Sequence, residues 1–83
     1  MPKVLLTRQA ESDVGKLSGD NVERVRNAIR VLAENPFRGE PLSGPYKGLS
    51  RYRVGDFRIV YEFDRKAGSI LVLKVRHRRE AYR

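Results

Sequence analysis

The chain ends in Arg76-His77-Arg78-Arg79-Glu80-Ala81-Tyr82-Arg83, a cluster that mixes cations with two groups able to move a proton, His77 and Tyr82. An imidazole titrates near neutrality and suits general acid or base work. A phenol starts near a pKa of about 10 and needs a field of cations to lower it before it can act as a base. Arginine supplies a planar fork of donors that stabilises developing oxyanion charge. Together these parts are enough to break a phosphodiester without metal: a base for the ribose 2′-hydroxyl, cations on the pentacoordinate phosphate, and an acid for the departing 5′ oxygen. Read by residue type alone, the same His and Tyr also fit packing or surface roles. Other chemistries are harder to build here. No nucleophile or carboxylate stands in sequence reach of His77 for a Ser-His-Asp arrangement, and no Gly-rich phosphate loop opens a helix. With one His and no Cys among 83 residues, neither a zinc site nor a disulfide is expected.

Charge points to the same end of the chain. Eighteen Lys and Arg against ten Asp and Glu give +8, and the excess is uneven: residues 1–46 hold seven basic and six acidic side chains, residues 47–83 eleven and four. Such a field concentrates polyanions, whose phosphates release counterions when Lys and Arg neutralise them. General solubility is the alternative, but it gives no reason for the charge to collect in one half. The length allows one domain with a modest core. The apolar runs Val4 to Leu6 and Ile70 to Leu73 fall far short of the roughly 20 residues of a membrane span, and a cytoplasmic protein is expected.

The elements that must position these residues follow from periodicity. Val4 to Leu6 reads as a strand, and Ala10, Val14 and Leu17 then switch to helical spacing. Ser18-Gly19 breaks that helix, and Asp20 with Glu23 forms the pattern of a capping box for a second one. Its stripe is Val22, Val25, Ile29 and Leu32, with Arg24 and Arg30 on a solvated face, and Asn35-Pro36 ends it. The two helices are expected to form an antiparallel hairpin. From Asn35 to Gly48 the chain reads as an ordered connecting loop. Three strand segments follow, Leu49 to Val54, Phe57 to Phe63 and Ser69 to Arg76, the first two joined by the two-residue hairpin signal Gly55-Asp56. Alternation puts Phe57, Ile59, Tyr61 and Phe63 on the core side of the middle strand. It sets Leu71, Leu73 and Val75 opposite Lys74 and Arg76 on the last. With ordinary hairpin registers, Arg51, Arg53, Arg58, Lys74 and Arg76 gather on the sheet face away from the helices. Like charges side by side destabilise a sheet, which suggests a polyanionic ligand.

The run LSRYRVGDFRIVYE from Leu49 to Glu62, followed by His77-Arg78-Arg79-Glu80-Ala81-Tyr82, resembles the RelE branch of the RelE/ParE toxin superfamily. The helix hairpin and the PLSGPYKGL stretch from Pro41 match its layout as well. The resemblance implies a single α+β domain over residues 1–83, with the helix hairpin packed on a four-stranded, mainly antiparallel sheet. It also implies an activity: toxins of this branch cut messenger RNA in the ribosomal A site by attack of the 2′-oxygen on the adjacent phosphate, and an antitoxin neutralises them. By position, Arg58 matches the arginine that contacts the scissile phosphate, and Arg78 the one assigned to transition-state and leaving-group stabilisation. Tyr82 matches the general base, with His77 assisting or replacing it. Arg51 matches a basic residue near the reacting phosphate, and Arg53 a further RNA contact. Lys74, Arg76 and Arg79 complete the RNA-binding set by charge and position. The implied partners are an acidic antitoxin in a hetero-oligomer, the ribosome and mRNA, with no cofactor and no metal. The ParE branch of the superfamily implies a different outcome, inhibition of DNA gyrase without an RNase site, and a passive RNA-binding module is a third reading.

Overall fold

A computed structural model describes residues 3–79. Strand β1 (Lys3–Leu6) leads into helix α1 (Arg8–Gly15) and helix α2 (Gly19–Glu34). A two-residue strand β2 (Glu40–Pro41) follows, and then β3 (Ser50–Val54), β4 (Phe57–Asp64) and β5 (Ser69–His77). The five strands form one mixed sheet in the order β1-β5-β4-β3-β2, antiparallel except where β1 runs parallel to β5. The α+β class and the helix pair packed on a mainly antiparallel sheet hold, with one strand more than expected. The extra strand lies inside the stretch read as a connecting loop.

Helix α1 begins where β1 parts from β5. Thr7 caps it by accepting the Ala10 N–H at 3.0 Å, and its hydroxyl donates to the Leu73 carbonyl at 2.7 Å, tying the helix start to the sheet. The capping box read at Asp20 and Glu23 does not form. Ser18 is the N-cap of α2 and makes no side-chain cap bond, so the helix starts two residues earlier than that motif requires. Helix α2 buries Val25, Ala28, Leu32 and Ala33, and the first three join Ile59, Tyr61, Ile70, Val72 and Val75 of the sheet in one core. Gly55 turns β3 into β4 with φ 57°, at the first central position of a two-residue hairpin, where a positive φ suits glycine.

The apolar face of β5 differs from the simple alternation. Val60 pairs with Lys74 and Tyr61 with Val72, so Leu73 is an extra residue, a bulge that reverses the phase of the strand. The core side of β5 is therefore Ile70, Val72 and Val75, and Leu71 does not join it.

Tyr61 is fully buried, and its hydroxyl donates to the Pro36 carbonyl at 2.7 Å and accepts the Gly39 N–H at 3.1 Å. These bonds pin the 3-10 turn Pro36–Arg38 and set the start of β2. Gly39 has no alternative there, because a Cβ would land on the Tyr61 hydroxyl and the Arg51 carbonyl. Burial raises the Tyr61 pKa above 10.0, with the Gly39 bond opposing. A raised folded-state pKa stabilises the fold below the unfolded value and loses that contribution as pH rises past it. Tyr61→Phe, which orphans the two backbone groups, is expected to cost about 1–2 kcal/mol at neutral pH. The gap between wild type and variant should narrow above pH ~10. Urea titrations of both proteins at pH 7 and pH 10.5 would show it, and a constant gap would contradict the assignment.

Candidate nucleic-acid interface

The observed registers stack the basic residues in two rows on the sheet face turned away from α1 and α2. Arg53 is directly opposite Arg58, and Arg58 directly opposite Arg76, so three arginines cross three strands at one level. Two residues along, Arg51 opposes Val60 and Val60 opposes Lys74. Residues directly opposite project from the same face with Cβ atoms about 4.5–5.5 Å apart. By register Arg51, Arg53, Arg58, Lys74 and Arg76 thus leave their strands on one face, as alternation predicted, but the Arg76 guanidinium does not stay there, because it reaches Asp13 of α1. The bulge at Leu73 lies before Lys74 and so leaves this register intact. Val60, between Arg51 and Lys74, is fully buried although it belongs to this face.

Carboxylates compensate the two ends of the arginine row. Glu40 of β2 lies opposite Arg51, with one oxygen 3.2 Å from the Arg51 guanidinium and the other 4.0 Å from Arg53 Nε. At the other end Arg76 donates to Asp13 at 2.5 Å. Asp13 is almost fully buried, and it also accepts the Val75 N–H at 2.9 Å and the Gln9 amide at 2.8 Å. Helix α1 thereby covers the edge of β5 that β1 is too short to reach. Arg58, in the middle, has an arginine on each side and, among the described residues, no ion-paired carboxylate. Its guanidinium makes only a 3.5 Å contact with the Phe57 carbonyl.

The remaining candidates lie at the end of β5. The Arg78 N–H donates to the Asp56 carbonyl at 2.6 Å, and its exposed guanidinium stands 3.9 Å from the Asp56 carboxylate. The Arg79 N–H reaches His77 Nδ1 at 3.4 Å. His77 pairs with Phe57 and meets its ring edge to face at 5.6 Å, which turns it to the helix side, the face opposite the arginine row. Tyr82 lies outside the described residues. Three further residues had not been singled out. Glu40 and Asp13 hold the flanking arginines, and Tyr46, on the 3-10 turn Gly44–Tyr46, places its ring 5.9 Å from Lys74 Nζ. Glu40-Pro41 has no periodicity to reveal it, and Asp13 finds its partners 62 and 63 residues away. Tyr46 could have been found as the aromatic residue among the basic and glycine residues of that loop.

The sequence profile of the family described as "ParE toxin of type II toxin-antitoxin system, parDE" matches residues 4–82. No curated protein sequence matches. Among solved structures, a chain of the toxin-antitoxin complex RelBE2 from Mycobacterium tuberculosis is 29% identical, with a TM-score of 0.86 over 92% of this chain and 96% of that one. A YoeB/ParE toxin from Agrobacterium tumefaciens is 25% identical, with a TM-score of 0.79 over 90% and 96%. The isolated E. coli RelE toxin is 16% identical, with a TM-score of 0.80 over 100% and 87%, a likeness of fold.

Proposed function

Because the chain belongs to the ParE toxin family of type II toxin-antitoxin systems and has the fold of RelE, we propose that it is a ribosome-dependent endoribonuclease that cuts mRNA and is silenced by an acidic antitoxin. One observation carries the reading. Among the described residues, no carboxylate pairs with Arg58, the centre of a three-arginine row whose flanks have carboxylate partners. A phosphate seated over Arg58 relieves the repulsion along the row and meets a preorganised donor fork where charge builds in the transition state.

In the reaction the 2′-oxygen loses its proton to a base and attacks the adjacent phosphorus. The bond to the 5′ oxygen breaks, and that oxygen takes a proton, leaving a cyclic phosphate and a 5′-hydroxyl. Arg58 bears the non-bridging oxygens. Arg78, exposed at the strand end, stabilises the departing oxygen, and Arg51, Arg53, Lys74 and Arg79 hold neighbouring phosphates. Arg76, held by Asp13, contributes field more than contact. Tyr82 is the base by its place in the motif. Glu40 is the carboxylate that the fold adds to this face, and His77 is turned from it. The antitoxin is a complementary acidic protein forming a hetero-oligomer with the toxin, and the site of action is the cytoplasm. The structural relatives from M. tuberculosis and the intact E. coli RelBE complex are themselves toxin-antitoxin complexes.

The match to the ParE profile favours a second reading, inhibition of DNA gyrase by binding. Induced expression of the chain alone separates the two. The RNase reading expects growth arrest with primer-extension stops confined to translated regions of a reporter message. Continued translation with failing supercoiling and accumulating DNA breaks would establish the gyrase reading instead.

A further inference from the structure

A cavity of about 380 Å³ opens on the helix side of the same sheet end. The turn between α1 and α2 contributes Lys16 and Ser18 to it, the first turn of α2 contributes Asn21, and the strands contribute Phe57, Arg76 and His77. Its size falls in the range of about 300–1,000 Å³ usual for small-ligand sites. The walls divide by chemistry. Phe57 and His77, edge to face, form an aromatic side. Asn21, also in the lining, spends one amide hydrogen on the Ser18 hydroxyl at 3.3 Å, which leaves its side chain a second amide hydrogen and a carbonyl acceptor. Asp13 in the lining is neutralised by Arg76, so Lys16 supplies the remaining charge. An aromatic wall, a donor and acceptor on one side chain, and a nearby cation match a nucleobase and its phosphate.

Arg76 links this cavity to the interface. Its backbone stands opposite Arg58 in the arginine row, and its side chain lines the cavity. We propose, resting on the RNase reading above, that the cavity receives the base of a nucleotide flanking the cut, with Lys16 on that nucleotide's phosphate. The RNA turns around the end of β5 past Arg78, its scissile phosphate on one face of the sheet and the flanking base on the other. His77 is then a positioning residue that forms the base pocket.

The test uses Lys16→Ala and Asn21→Leu, both outside the hydrophobic core, with Arg30→Ala on the solvated side of α2 as a control expected to match wild type. Ribosome-bound messages carry an abasic site at each nucleotide flanking the cut in turn. Wild type is expected to lose about tenfold in kcat/KM at one of these positions, mostly through KM, from the lost stacking. In Lys16→Ala and Asn21→Leu the intact message is already about tenfold poorer, and the abasic site costs little more. Full sensitivity to the abasic site in both variants overturns the assignment. If wild type cleaves no message, the RNase reading fails separately. Binding of a short RNA with a 2′-deoxy block, with and without the abasic site, then decides the cavity by the same comparison. Variants that keep RNA recognition but lose affinity for the antitoxin would also overturn it, and would give the cavity to a protein side chain.

Discussion

Arg58→Ala is expected to lower cleavage of ribosome-bound mRNA by about 100-fold or more, the usual cost of removing one preorganised oxyanion contact. The loss should fall on kcat and kcat/KM alike, because on the proposed reading the guanidinium acts on charge that develops only in the transition state. The fold should survive, since removing the centre of a row of three like charges relieves repulsion across β3, β4 and β5. Unchanged or slightly raised urea resistance would accompany the lost activity. Arg53→Ala, whose partner Glu40 already compensates it, should act more weakly and through KM. Full activity in Arg58→Ala would end the assignment of this row as the phosphate site.

Asp13→Ala is expected to destabilise the domain by about 3 kcal/mol, toward the lower end of what breaking a buried ion pair costs, because Arg76 retains some exposure to water. The variant removes the acceptor for Arg76, for the Val75 N–H and for Gln9 together, and it uncovers the edge of β5. Urea unfolding at constant m would measure the loss. Asp13→Asn, which keeps one acceptor oxygen without the charge, should fall between the two. A loss below about 1 kcal/mol would mean that the helix docks without this contact, as for an ordinary surface pair.

The arginine row was legible because its register depends on a short-range signal. Gly55-Asp56 closes a two-residue hairpin, and that alone sets Arg53 opposite Arg58. Lys74 and Arg76 followed from alternation within the last strand. The same alternation failed a few residues earlier, where the bulge at Leu73 shifts the core positions to Ile70 and Val72. No local pattern marks that bulge. Its carbonyl is held by Thr7, 66 residues away. Glu40-Pro41 escaped notice for a related reason: two residues carry no period, and they pair with β3 just after a turn that Tyr61 holds from 22 and 25 residues away in sequence. His77 was placed with the cations by its neighbours in sequence, yet pairing with Phe57 turns it to the other side of the sheet.

The parallel pairing of β1 with β5 bears on the order in which the fold can assemble during synthesis. Strand β5 occupies the interior of the sheet, between the first strand and β4, and it is the last of the described strands to be made. Until it emerges, β1 lacks its neighbour, α1 lacks the edge it covers, and Arg58 lacks one of its flanking arginines. Such long-range pairings carry their loop-closure entropy before they are rewarded, so no partial chain assembles the site early. On the proposed reading, the arginine row is therefore complete only once β5 has been made and has paired with both of its neighbours.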